Sequence, residues 1–73
     1  MRTMTEEQWR VYNTILSRHK KGAEPPTIRE IAKETGSAHS LAFRRVQALE
    51  KKGFIERPNE RDWRGIKLRV VID

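Results

Sequence analysis

The chain has 73 residues, enough for one small domain and close to the lower size at which a protein folds without covalent or metal cross-links. It contains no cysteine, which excludes disulfides and thiolate metal sites and fits a reducing, cytoplasmic environment. No apolar run reaches the length of a membrane span, and the segment MRTMTEEQW leads directly into a predicted helix. We therefore expect no membrane partner and no targeting peptide.

The net charge of +6 is unevenly distributed along the chain. Residues 1–36 hold seven basic and five acidic side chains, whereas residues 37–73 hold nine and five. A basic surface attracts polyanions and supplies the counterion-release contribution to nucleic-acid binding. Charge by itself is equally compatible with a solubilising surface. The excess indicates nucleic-acid binding only if it lies beside a structural motif that binds nucleic acid.

The first helix is predicted over about 5–21. Thr5 and Gln8 have the spacing of a capping box, and Met4 and Trp9 occupy the hydrophobic-staple positions around it. Gly22 provides a left-handed stop after two lysines. One face of this helix carries, at helical spacing, Tyr12, Ile15, Leu16 and His19, with Val11 at its edge.

The second helix is predicted over about 27–35. Thr27 and Glu30 form a second capping box, after two prolines that break the chain. The predicted buried stripe is Ile28, Ile31 and Ala32, with Gly36 just past the helix end. A small residue in the helix and a glycine four positions later allow the close approach and left-handed turn of a helix-turn-helix.

The third helix is predicted over about 40–52, ending at Gly53. One side carries Ala42, Val46 and Leu49, and Phe43 and His39 flank the other side, which is polar. The polar side presents Ser40, Arg44, Gln47 and Lys51. Guanidinium, amide and hydroxyl groups are the ones that hydrogen-bond to base edges in the major groove.

From Phe54 onward the apolar period changes to two, which predicts a hairpin, or wing, over 54–72. Its strands are predicted over 54–57 and 65–72, joined by a turn-rich loop over 58–63. The core-facing positions are Ile66, Leu68 and Val70, and the outward positions are Lys67, Arg69 and Val71. The predicted fold class is mainly α (α+β): a three-helix winged helix-turn-helix with a C-terminal two-stranded β-hairpin wing.

With these residues placed, the chain resembles the N-terminal DNA-binding domain of LexA-type repressors along nearly its whole length. The segments PPT, EIA, ALEKKGFIE and RGIKL carry the resemblance, and their combined spacing is more specific than any one of them. The resemblance implies a winged helix-turn-helix that binds operator DNA, represses transcription and is found on the nucleoid in the cytoplasm.

Two departures from the family pattern limit what the resemblance implies. The segment SAHSLAFRR is one residue shorter than in the family and lacks its Asn and paired Glu residues, so the operator sequence does not carry over. The family's self-cleaving protease and dimerisation domain has no counterpart up to Asp73. We therefore expect a monomer that could place two copies on a palindromic site.

Double-stranded DNA is the expected partner. Arg44 and Gln47 are the predicted base readers, with a solvated charged face as the alternative, and Ser40 is either a helix cap that touches a phosphate or a base contact. For Phe43 we favour packing beneath the wing over contact with a thymine methyl group. The full predicted set of DNA-binding residues is Thr27, Ser37, His39, Ser40, Arg44, Arg45, Gln47, Lys51, Arg61, Arg64 and Lys67.

In the predicted wing, Arg61 and Arg64 would contact phosphates or the minor groove; the alternative is pairing with neighbouring acidic residues. Arg45 is expected to reach a phosphate or an acidic neighbour, and His39 a phosphate. His19 is expected to lie beside the core. Neither histidine has a carboxylate or thiol at metal-ligand spacing, so we expect no metal site.

The sequence has no Ser/His/Asp arrangement, no glycine-rich elbow and no evident site for a cofactor or small-molecule substrate, so we expect no enzymatic activity. One alternative function is a winged-helix protein-interaction adaptor. The polar third helix, with no predicted apolar patch, argues against it. Another alternative is recognition of left-handed DNA, for which the third helix lacks an exposed tyrosine.

Overall fold

The computed structural model describes residues 3–56 and 66–69. Within them the chain is mostly helical, with one two-stranded antiparallel sheet, as the predicted fold class requires. The three helices pack pairwise against one another. The elements in chain order are α1 (Glu6–Lys20), α2 (Ile28–Thr35), α3 (His39–Lys51), β1 (Ile55–Glu56) and β2 (Lys67–Leu68).

Helices α1 and α2 both begin with a complete capping box. In α1 the Thr5 hydroxyl accepts from the Gln8 backbone N–H at 3.2 Å, and Gln8 Oε1 accepts from the Thr5 N–H at 3.1 Å. In α2, Thr27 and Glu30 repeat the arrangement at 3.2 and 3.1 Å. Each box satisfies backbone donors that have no partner inside the helix, which explains why both helices start where the sequence predicts.

Helix α3 begins differently. Its first helical residue is His39, and its N-cap is Ala38, which makes no side-chain capping bond. The expectation that Ser40 caps this helix is therefore wrong, because Ser40 lies inside the first turn. Because no side chain caps its start, α3 depends on packing more than the other two helices do.

A glycine with positive φ follows each of the three helices: Gly22 at 69°, Gly36 at 66° and Gly53 at 83°. Gly36 has φ 66°, and the next N–H, from Ser37, donates back to the Ala32 carbonyl at 3.0 Å. Gly53 has φ 83°, and the Phe54 N–H donates to the Leu49 carbonyl at 3.0 Å. These bonds satisfy terminal carbonyls and set the direction in which the chain leaves each helix.

The core lies between the three helices and the sheet. Tyr12 is fully buried and makes edge-to-face contacts with Trp9 and Phe54, with ring centroids 5.8 and 6.1 Å apart. Val11 is fully buried, not at the edge of the apolar face, whereas His19 is exposed. Among the described residues, the buried hydrophobic core comprises Val11, Tyr12, Ile15, Leu16, Ile28, Ile31, Ala32, Ala42, Val46, Leu49, Phe54, Ile55 and Ile66, and Pro26 is buried as well.

The sheet pairs Ile55 with Leu68 and Glu56 with Lys67. It lies directly after α3, and the Arg69 N–H extends the pairing to the Phe54 carbonyl at 2.9 Å. The predicted hairpin is longer, and the parts over 57–65 and 70–72 lie outside the described residues.

Two polar links join elements that are distant in sequence. Arg18 on α1 contacts Glu30 at 2.9 Å and Glu34 at 3.4 Å, both on α2. Lys52, which caps α3, donates to the Thr3 carbonyl at 2.6 Å and to Gln8 Oε1 at 2.8 Å. The first link fixes α2 against α1, and the second fixes the end of α3 against the start of α1. Among the described helices, none has both the length and the apolar content needed to cross a bilayer.

Candidate nucleic-acid interface

Helix α3 divides into two faces of opposite character. Ala42, Val46 and Leu49 are each 0% exposed and point into the core. The side turned away from the core is exposed and comprises Ser40, Leu41, Arg44, Gln47 and Lys51. We call these five residues the outer face of α3. Because the buried residues recur at intervals of three and four, the exposed ones fall together on the opposite side of the helix.

The outer face is chemically suited to contact a polyanion. It carries two cations, a side-chain amide and a hydroxyl, so it combines charge attraction with directional hydrogen bonds. The only acidic residue within α3 is Glu50, which is half-buried. Arg44 adds a planar fork of donors that fits the two acceptors of a guanine edge, and Gln47 fits adenine in the same way.

Helix α2 is joined to α3 by the short connection 36–38. Gly36 is needed there for its positive φ of 66° and not for space, because an added Cβ would meet no atom within 4 Å. Ser37 is half-buried, and its hydroxyl lies 2.7 Å from that of Thr35. Thr27 is half-buried as well, and its hydroxyl donates to Glu30 Oε1 at 3.1 Å in addition to capping α2.

The carboxylates of α2 are engaged by neighbouring donors. The pKa of Glu30 lies below its ordinary value, first because the Thr27 backbone N–H donates to it and second because Arg18 does. The pKa of Arg18 is raised in turn, chiefly by its hydrogen bond to Glu30. Arg18 therefore joins α1 to α2 through both carboxylates.

The structure brings four of the predicted residues together on the outer face, namely Ser40, Arg44, Gln47 and Lys51. His39 is exposed at the first position of α3, and Arg45 is half-buried at the border with the core. Lys67 is exposed on β2. The predicted contacts Arg61 and Arg64 lie outside the described residues.

Sequence reasoning missed Leu41. It is 42% exposed, and within residues 3–56 and 66–69 it is the one exposed large apolar side chain. The outer face therefore carries one apolar side chain among its polar ones. The signal was available, since Leu41 lies about 100° around the helix from Ala42, on the side of Arg44. Phe43, by contrast, is half-buried and packs against the core.

The described residues contain no group of three His, Asp or Glu side chains that could hold a metal ion. An apolar groove of about 260 Å³ lies where α1 meets the sheet. Its lining residues are Ile15, His19, Ala23, Pro25, Ile66, Lys67 and Leu68. Among the described residues that line this groove, His19 and Lys67 are the ones with titratable side chains.

Comparison with known proteins agrees with this geometry. Residues 1–64 match the LexA DNA binding domain. LexA repressors from Thermotoga petrophila and Magnetococcus marinus are both 41% identical to this chain, over 59 and 54 residues, which is 81% and 74% of the chain. The LexA repressor of Citrifermentans bemidjiense is 38% identical over 69 residues, or 93% of the chain.

The aligned segments make up only 30%, 23% and 34% of those three relatives, so the chain spans about a third of their length or less. The family match covers the three helices, the first predicted strand and the loop that follows it. This coverage, together with the exposed polar face of α3, shows that the chain belongs to the LexA DNA binding domain family.

Proposed function

We propose that this domain binds double-stranded DNA sequence-specifically and represses transcription, with the outer face of α3 in the major groove. The observation that carries the proposal is the division of α3 into a buried apolar face and an exposed face with Arg44 and Gln47 one turn apart. A helix held this way presents base-reading groups on a rigid support. The names of the related LexA repressors support the assignment to repression.

In this proposal Arg44 and Gln47 read base edges, while Ser40 contacts a base or a phosphate from the first turn of α3. Both long side chains are exposed and lie on the same face, so both can reach one groove. This set is small, as expected when a single helix specifies a short half-site.

The remaining predicted residues would hold the DNA backbone. Lys51 and His39 lie at the two ends of α3, and Arg45 lies along its border. Thr27 and Ser37 flank α2, and Lys67, Arg61 and Arg64 belong to the predicted hairpin. Contacts of this kind set orientation and register without reading sequence.

We infer a regulator and not an enzyme, acting on the nucleoid in the cytoplasm. We also infer that the 73-residue chain is a monomer that occupies an inverted repeat as two copies with little cooperativity. Fusing a leucine zipper through a flexible linker should tighten binding to the repeat roughly 100-fold or more, because the second contact becomes intramolecular. Sedimentation that shows a stable dimer of the unfused chain at micromolar concentration would refute the monomer.

The test of DNA binding is a titration of random duplex by fluorescence anisotropy at several salt concentrations, followed by in vitro selection of bound sites. Neutralising about four to six phosphates predicts a slope of log K against log salt of roughly −4 to −5. A slope near zero would contradict nucleic-acid binding and favour the adaptor alternative. A steep slope with no selected sequence would leave DNA binding intact and refute sequence specificity.

A further inference from the structure

Leu41 is the side chain of the outer face that the proposed function leaves without a role. It lies in the first turn of α3, next to Ser40 and three residues before Arg44. Single exposed leucines are common on protein surfaces and by themselves mean little. This one differs by its position, because the N-terminal residues of a recognition helix are those that meet base edges.

The major groove offers one apolar group, the C5 methyl of thymine. A leucine at the groove-facing start of α3 matches that group and matches no other feature of a base edge. Phe43 is half-buried and packs against the core, so Leu41 is the more accessible apolar side chain of the two. We propose that Leu41 reads a thymine by contact with its 5-methyl group, an inference that rests on the proposed binding of DNA by α3.

The spacing along α3 also predicts where the thymine lies. Residues three apart on a helix are neighbours on one face, and they differ by about 4.5 Å along its axis. One base step in B-DNA is about 3.4 Å. The thymine read by Leu41 should therefore lie within one or two base pairs of the base pair read by Arg44, which we expect to be G·C.

The experiment removes the methyl group from DNA and the side chain from the protein in a double-mutant cycle. In the site obtained by selection, each thymine of one half-site is replaced in turn by deoxyuridine, which pairs identically but lacks the methyl. Dissociation constants are measured at one salt concentration for wild type, Leu41→Ala and, as matched control, Arg44→Ala.

For wild type we expect one position at which deoxyuridine weakens binding about fourfold, the effect of losing one buried methyl-sized group. Leu41→Ala should bind the thymine and deoxyuridine duplexes equally at that position. Arg44→Ala should bind more weakly but keep the fourfold ratio. Thermal unfolding of Leu41→Ala should match wild type, since the side chain lies outside the core.

Each other outcome overturns the inference, and the outcomes separate it from the proposed function. If the domain selects no site, sequence-specific binding fails and the role of Leu41 fails with it. If a site is selected but no deoxyuridine position matters, or Leu41→Ala keeps the fourfold ratio, only the role of Leu41 is refuted. Weaker binding of Leu41→Ala to all duplexes alike would assign Leu41 to a contact with DNA that does not read sequence, and would refute the thymine contact.

Discussion

The outer face of α3 and the scaffold that holds it differ in what their side chains contact. The apolar side chains of the scaffold contact the protein itself, and the side chains of the outer face are exposed to solvent. In the scaffold, by which we mean α1, α2 and the inward side of α3, apolar side chains are buried and the starts of α1 and α2 are capped by Thr5 and Thr27. On the outer face, Arg44 and Gln47 are exposed to solvent. Stability and recognition are thereby assigned to different residues of one short helix, so substitutions should affect one property and not the other.

The largest effect should come from the inward side of α3. Leu49→Ala should lower the free energy of unfolding by about 2–5 kcal/mol, because Leu49 is 0% exposed and its removal leaves a cavity. Urea unfolding followed by circular dichroism measures the change, with Leu41→Ala as the control on the opposite side. Equal losses for the two variants would show that α3 does not divide as described.

Arg44→Ala tests the outer face. It should weaken binding to the selected site by about 1–3 kcal/mol and flatten the base preference at one position, because a two-donor contact to a base edge is lost. The melting temperature should stay at the wild-type value. Arg10→Ala removes the same charge from an exposed pair with Glu6 on α1 and should leave base preference unchanged. An unchanged selected site for Arg44→Ala would mean that another side of α3 faces the groove.

The helix starts provide a third, smaller test. Thr27→Ala should destabilise the domain by about 1 kcal/mol through loss of the α2 cap. Ala38→Ser should instead stabilise the domain by about 0.5–1 kcal/mol, because it gives α3 the side-chain cap that Ala38 cannot provide. Chemical denaturation measures both. A destabilising Ala38→Ser would show that the backbone there does not accept a capping side chain.

The smallest effect concerns pH and Glu30. Its folded-state pKa is lowered, mainly by the Thr27 backbone N–H and then by Arg18, so its carboxylate stabilises the folded state above its ordinary pKa of about 4.5. That contribution is lost as the pH falls through the lower, folded-state pKa. Glu30→Gln keeps a residue able to complete the capping box but cannot titrate.

Unfolding free energies of wild type and Glu30→Gln should therefore converge as the pH falls below about 4.5. Glu34→Gln is the matched control, because Glu34 also contacts Arg18, at the longer distance of 3.4 Å, but has no place in the capping box. Parallel pH profiles for wild type and Glu30→Gln would show that the ionised Glu30 carboxylate, with its bonds to Thr27 and Arg18, contributes nothing measurable to stability.

The sequence by itself determined the features that depend on near neighbours in the chain. The two capping boxes join residues three apart, so Thr5 and Thr27 identified the starts of α1 and α2 correctly. The spacing of Ala42, Val46 and Leu49 likewise predicted the inward side of α3. Most of the outer face followed, because it lies on the opposite side of the same helix. Sequence spacing predicts these features because the direction of each side chain in a helix is set by the local backbone.

Only the tertiary structure decided features that depend on which elements meet. It buried Val11 fully, left His19 and Leu41 exposed, and started α3 after Ala38. It also brought Arg18 to Glu30, an ion pair between separate helices that no local pattern predicts. The exposure of a residue at the border of a helix face depends on the size and angle of the neighbouring element, and those are set by packing across the whole core.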